Sequence, residues 1–235
     1  MEDEAAEVAL PLKVLVLGDP AVGKTAYVRR LVRGQGSLGE AGKQGAPADC
    51  FKKGYKPSKG VDFALKEFEV DGRTARLQVW DASGEHARRG EVPDVYYQDA
   101  FGALLVYDIT RPTTFDTVLA WKRDIDERMV GGNWLDANGQ PTGPPVILVG
   151  AKCDLETASA DTAELDRFCA DHGFYGWFDV SARTGFNVDT CARCLAEKIL
   201  DDEYNVDHKV AENARFRPAD VFADDAEGGS WCAVA

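Results

Sequence analysis

The segment that most constrains this chain is Gly18-Asp19-Pro20-Ala21-Val22-Gly23-Lys24-Thr25, which fits the pattern G-x-x-x-x-G-K-[ST]. It follows a short β-rich apolar run, Leu12 to Leu17, and leads into a helical stretch, Lys24 to Val32. Strand, glycine loop and helix are the context in which backbone N–H groups from Gly18 to Ala26 and a helix N-terminus meet phosphates. In that setting Lys24 supplies a cation to β and γ oxygens, and the Thr25 hydroxyl ligates Mg²⁺. The motif by itself leaves the base open, and with it kinases, motors and switches.

Further along, Asp71-Gly72 joins Phe63–Val70 to Thr74–Trp80, a tight-turn dipeptide between alternating segments that predicts one antiparallel pair. Ala103–Tyr107, Pro145–Val149 and Trp177–Val180 read as buried strands, with a helical stretch over Thr114–Met129. The alternation predicts an α/β fold with a mainly parallel sheet. A last helix carries Val188, Cys191, Ala192, Leu195 and Ile199 on one face, which makes Cys191 and Cys194 structural residues. Two segments read as insertions: Gly34–Ala48, poor in large apolar groups, and Gly131–Pro144, with four Gly and two Pro. Residues 1–11 form an acidic leader, 12–200 the domain, and 201–235 an acidic tail expected to be disordered.

Composition narrows the partners. A formal net charge of −13 disfavours a phosphate-backbone ligand, so no nucleic acid is expected. No run approaches the roughly 18 apolar residues of a spanning helix, and Met1-Glu2-Asp3-Glu4 is unlike a basic signal-peptide start. The six cysteines lack the density of a disulfide framework, so reduced thiols and a cytosolic body are expected.

Three more strand ends carry polar groups. Asp81-Ala82-Ser83-Gly84 follows the strand ending at Trp80, placing a carboxylate where open α/β sheets bind ligands. Asp81 there serves Mg²⁺ through water, and Gly84 lets its N–H approach a γ-phosphate. Ala151-Lys152-Cys153-Asp154 and Ser181-Ala182-Arg183 follow the last two strands. A carboxylate such as Asp154 accepts both N1–H and N2–H of guanine, a donor pair that adenine lacks. Lys152 would lie along the base with its stem, and the Ala182 N–H would meet the guanine O6. GTP and GDP are therefore favoured over ATP.

Together these motifs resemble the Ras superfamily of P-loop GTPases. Gly60–Lys66, Leu77–Asp81, Tyr96-Tyr97, Ala120–Lys122 and Gly173–Phe178 are similar to Rab proteins, and most to the subfamily of lysosome-related organelles, Rab thirty-two and thirty-eight. The resemblance covers roughly Leu12 to Leu200. It implies a six-stranded, mostly parallel sheet with one antiparallel strand and helices on both faces. Ser58 falls at the first-switch Thr position, which joins Thr25 and Asp81 at the metal, and Phe51 falls where an aromatic ring stacks on guanine. Phe63, Trp80 and Tyr96 align with the aromatic triad that meets effectors. Implied partners are an exchange factor, a GTPase-activating protein, effectors and a prenyl-binding chaperone.

Several positions depart from that pattern. Glu85 stands where the family has the Gln that orients attacking water, so Lys24, Ser58 and Glu85 form the catalytic set. A carboxylate only accepts hydrogen bonds, and a like charge about 4 Å from the phosphate costs on the order of 4 kcal/mol at an effective dielectric near 20. Slow hydrolysis is expected. Ala151 replaces an Asn that contacts the base and ties neighbouring loops; losing such bonds costs about 1–3 kcal/mol and hastens release. His86-Ala87-Arg88-Arg89 also differs, and the Gly34–Ala48 insertion precedes the first switch. The terminal Cys232-Ala233-Val234-Ala235 matches a prenylation box. The tail carries nine acidic against three basic residues, so it lacks a polybasic second anchor, and one lipid binds reversibly.

The sequence thus predicts a Rab-like GTP-binding switch with Mg²⁺ and slow hydrolysis, lipid-anchored at the cytosolic face of endomembranes and recruiting trafficking effectors. A hydrolysis-deficient GTP-binding scaffold is the alternative, and a P-loop kinase or ATPase is disfavoured by Asp154 and Ser181-Ala182.

Overall fold

The computed structural model describes residues 11–33, 62–70, 72–82, 92–129, 134, 143–155 and 162–201. Six strands form one sheet in the order β2-β3-β1-β4-β5-β6. They are β1 (Pro11–Leu17), β2 (Asp62–Val70), β3 (Arg73–Asp81), β4 (Gly102–Asp108), β5 (Val146–Ala151) and β6 (Gly176–Val180). Only β2 runs antiparallel, paired with β3 from Asp62↔Asp81 to Val70↔Arg73; the remaining pairs are parallel. The turn at Gly72, whose φ is 78°, lets the hairpin close as its dipeptide predicts.

The helices are α1 (Lys24–Arg33), α2 (Asp94–Tyr97), α3 (Thr113–Asp116), α4 (Val118–Arg128), α5 (Thr162–Asp171) and α6 (Val188–Asp201). The pleat sorts them onto two faces. Val14 and Val16 of β1 join Tyr27, Val28 and Leu31 of α1 and Val188, Leu195 and Ile199 of α6 in one core. Leu15 and Leu17 point the other way, into a core with Tyr96, Tyr97, Ile125, Leu165 and Cys169. Burial on both faces explains why β1, β4 and β5 read as continuous apolar runs. Cys191 is buried in the first core and Cys194 packs against it, as expected of structural residues.

The structure differs from the expected elements in four places. The stretch Thr114–Met129 is two helices that meet at Thr117, whose hydroxyl donates to Thr114 O at 3.0 Å. Helix α5 has no counterpart in the expected elements. Only Leu165 and Cys169 of it are buried, so its apolar stripe is too thin to stand out by periodicity. Trp134, in the second expected insertion, is buried in the second core. Pro11 opens β1 and Asp201 closes α6, one residue beyond the expected bounds at each end. The Gly34–Ala48 insertion and the tail beyond Asp201 lie outside the described residues.

Candidate nucleotide site

The loop between β1 and α1 is shaped by its backbone. Gly18 (φ 132°) sits so close to β4 that a Cβ there would lie 2.1 Å from Val106 O, so no side chain fits. Ala21 (φ 62°) and Gly23 (φ 120°) are also left-handed, and this alternation bends the loop into a concave turn over the start of α1. Tyr27 N donates to Gly23 O at 2.9 Å, so the first turn of the helix, with Lys24, Thr25 and Ala26, starts at the loop.

Lys24 is only 5% exposed, and its Nζ donates to Gly18 O at 2.7 Å and Asp19 O at 2.8 Å. Burial lowers its pKa to about 8, against the opposing pull of Asp81 and Asp19. Thr25 Oγ1 donates to Asp81 Oδ2 at 2.5 Å. Asp81, the last residue of β3, is brought there because β3 pairs in parallel with β1, with Val16 opposite Asp81. A hydroxyl and a carboxylate converging beside buried Lys24 form a hard-oxygen donor set suited to Mg²⁺. Expected site residues Phe51, Ser58, Gly84 and Glu85 lie outside the described residues, as does Cys232.

At the far side of the loop, β5 ends at Ala151 and the next residue, Lys152, takes φ 70°. Its Nζ donates to Ala21 O at 3.1 Å and to Asp108 Oδ2 at 2.5 Å. The Asp154 carboxylate accepts from Ser181 Oγ at 2.7 Å, and Arg183 Nη1 lies 3.8 Å from its second oxygen. Cys153 N donates to Val180 O at 3.2 Å, stitching the two base-side loops together. The second loop closes on itself, with Gly185 N donating to Ser181 O at 2.7 Å and Thr184 N to Ser181 Oγ at 3.1 Å. Half-buried Ala182 lies within it. Arg30 of α1 caps this loop from the other side through Thr184 O. The expected residues 18–26, 81, 152, 154 and 181–183 are therefore gathered along one rim of the sheet.

Sequence reasoning passed over the contacts made by the residues after β4. Asp108, 1% exposed, accepts from Thr110 N and Oγ1, Arg111 Nε and Lys152 Nζ. Burial alone would raise its pKa, but the bonds from Lys152, Thr110 and Arg111 hold it below the ordinary carboxylate value. Arg111 Nη2 reaches Pro20 O at 3.2 Å, while the Asp19 carboxylate accepts from Thr117 Oγ1 at 3.0 Å and Trp121 Nε1 at 2.9 Å. A signal was available: Asp108, like Asp81, ends an apolar strand.

Phe63, Trp80 and Tyr96 form one aromatic cluster, with ring centroids 6.2 Å apart for the first pair and 5.8 Å for the second. Trp80 and Tyr96 are 2% and 3% exposed, so only Phe63, at 41%, opens onto the surface. Lys13 Nζ lies 4.2 Å from the Trp80 ring centroid, completing the packing from below.

A family model described as "Ras family" matches residues 46–201, more than half of the chain. Ras-related protein Rab-32 of Mus musculus is 39% identical over 193 residues, covering 81% of this chain and 76% of that protein. Ras-related protein Rab-32A of Dictyostelium discoideum is 39% identical over 194 residues, covering 81% and 78%. Ras-related protein Rab-7L1 of Homo sapiens is 36% identical over 189 residues, covering 80% and 82%.

Proposed function

The chain belongs to the Ras family, and from that premise we propose that it is a Rab-type guanine-nucleotide switch acting in membrane trafficking. The observation that carries this reading is the placement of two recognition ends on one sheet rim. Lys24, Thr25 and Asp81 gather at one end, and Lys152, Asp154 and Ser181 at the other. Lys24 holds its charge against the β- and γ-phosphates, and the loop N–H groups with the start of α1 take the remaining oxygens. Thr25 and Asp81, with Ser58, would hold Mg²⁺, which neutralises charge developing on the phosphate oxygens. Asp154, oriented by Ser181, accepts the two guanine donors, Lys152 and Phe51 flank the base, and the Ala182 N–H meets its O6. Gly84 reports the γ-phosphate to the second switch.

Hydrolysis by this switch is intrinsically slow, because Glu85 offers no donor to the phosphate. In its GTP form it recruits effectors through a surface that includes Phe63, with Trp80 and Tyr96 beneath, and it answers to an exchange factor and an activating protein. Cys232 carries a prenyl group, and the acidic tail makes the anchored protein easy for a prenyl-binding chaperone to extract. Among the described residues no helix is long and apolar enough to cross a membrane. Glu85 and Ala151 also support a second reading, a GTP-binding scaffold without useful hydrolysis.

Competition binding tests the central reading. With Mg²⁺ present, GTP and GDP should displace a fluorescent guanine nucleotide far better than ATP, and Asp154→Asn should shift preference toward xanthine nucleotides. Equal displacement by ATP, or unchanged guanine preference in Asp154→Asn, would refute it.

A further inference from the structure

The phosphate loop is held from the ends of two strands, β4 and β5. At the end of β5 Ala151 itself offers the loop only a methyl group, since a Cβ on Gly23 would lie 3.7 Å from the Ala151 Cβ. Two consecutive loop carbonyls each meet a cation, one from Arg111 after β4 and one from Lys152 after β5. Pro20 O accepts from Arg111 Nη2 at 3.2 Å, and Ala21 O accepts from Lys152 Nζ at 3.1 Å. Both cations are held by the same oxygen, Asp108 Oδ2, at 2.8 Å from Arg111 Nε and 2.5 Å from Lys152 Nζ. The other oxygen of Asp108 is engaged by Thr110 N and Oγ1, so the buried carboxylate has no freedom to swing.

Ala21 is a non-glycine residue in the left-handed region, a conformation that persists only where surrounding contacts over-determine it. Here those contacts come from Lys152 and Arg111 at residues 20–21, and from Thr117 and Trp121 at Asp19. Arg111 is distinctive among them, since its planar guanidinium uses separate nitrogens for Asp108 and for Pro20 O. A lysine ammonium cannot reproduce that fork in fixed geometry.

We propose that Arg111, held by Asp108, is a positioning residue that fastens the phosphate loop and slows nucleotide release, adding at Pro20 O a tie from the β4 side to the one that Lys152 makes at Ala21 O from the end of β5, where Ala151 brings only a methyl group. This rests on the guanine-nucleotide reading above. Arg111 is about two-fifths exposed, so its effect is that of roughly one ordinary hydrogen bond rather than of a buried ion pair.

The test uses the full chain loaded with a fluorescent N-methylanthraniloyl GDP in Mg²⁺, chased with excess GDP. Arg111→Ala should release nucleotide about fivefold faster, the rate equivalent of one such bond. Arg111→Lys should remain nearly as fast as Arg111→Ala, although it keeps a cation beside Asp108 and nucleotide-depleted Arg111→Lys should therefore melt closer to the unaltered chain than Arg111→Ala does. In an Ala151→Asn background, which puts a second polar side chain beside the loop at the end of β5, the effect of Arg111→Ala should fall below about twofold, since coupled contacts are not additive. An unchanged release rate in Arg111→Ala would overturn the proposal, as would an equal effect in both backgrounds or release by Arg111→Lys at the rate of the unaltered chain. If the unaltered chain shows no saturable binding of the fluorescent nucleotide, the guanine-nucleotide reading itself falls, an outcome visible before any variant is made.

Discussion

Gly150→Ala should damage both the fold and the base pocket, and the geometry sets the scale. Gly150 lies in β5 opposite Asp179 of β6, one residue before Ala151 and two before Lys152. A methyl at this position would lie 2.4 Å from Asp179 Oδ1, 2.9 Å from Ile109 Cγ2 and 3.0 Å from the Tyr107 hydroxyl. Two of these distances are shorter than real Cβ contacts, so something must give. Asp179 can turn outward, but its carboxyl already sits where burial raises its pKa, and the Tyr107 ring is held edge-on against Phe115. Overpacking of this kind costs about 1–3 kcal/mol. For a chain of this size about 2 kcal/mol lowers the melting temperature by roughly 4–8 °C.

The strain also has a direction, because relieving it pushes the end of β5 away from β6 and carries Lys152 and Asp154 with it. We expect guanine-nucleotide release to quicken about tenfold, equivalent to roughly 1.4 kcal/mol. The assay is thermal unfolding at one fixed GDP concentration, since bound ligand itself raises stability, together with the release rate. Gly176→Ala on β6 is the control: a Cβ there meets nothing within 4 Å, so that variant should be near neutral. If Gly150→Ala melts with Gly176→Ala, within about 0.5 kcal/mol of the unaltered chain, the close-approach argument is wrong.

Three further outcomes follow from other sites. Asp108→Asn should lose about 2 kcal/mol at pH 7, less than a fully buried pair because Lys152 and Arg111 are a third or more exposed. Asp108 has a depressed folded pKa, so its contribution is present above the ordinary carboxylate value near 4 and fades as pH falls through the folded one. Urea unfolding across that range should therefore show the variant and the unaltered chain converging in acid; a constant gap would contradict it. Glu85→Gln should speed single-turnover GTP hydrolysis by purified protein, with nucleotide loss followed separately; an equal or lower rate removes the impaired-hydrolysis reading. Cys232→Ser should abolish membrane association in a eukaryotic host, and mass spectrometry should find an isoprenoid on the unaltered cysteine; membrane-bound protein with an unmodified Cys232 would refute the anchor.

What the sequence reveals here depends on how local the cause is. The phosphate loop, the Asp71-Gly72 hairpin and the strands β1, β4 and β5 are legible because each is dictated by short-range chemistry: glycine conformations, turn residues, apolar runs. Helix α5 is not, because two buried residues in ten leave a weak period. The base-side residues Lys152, Asp154 and Ser181 are readable as strand ends converging on one rim. Arg111 is not, since its role exists only once the pairing of β4 with β1 and β5 sets its guanidinium against a loop carbonyl 91 positions earlier. Burial of Trp80 and Tyr96 is equally non-local, coming from β3 packing against α2 and from Lys13.

The strand order also shapes how such a chain comes off the ribosome. Strand β1 precedes both of its neighbours: β3 ends at Asp81 and β4 at Asp108. At roughly 10 residues per second, its pairing partners arrive on the order of ten seconds after it. Until then an apolar strand with both edges unsatisfied is the segment most prone to mispairing with other chains. The fifteen residues of Gly34–Ala48 lie within this interval. They lengthen the delay by a second or two while adding only about 0.3 kcal/mol to the entropy of closing β3 onto β1. Their burden falls on the timing of synthesis, and shortening them should raise soluble yield more than it raises the stability of the finished fold.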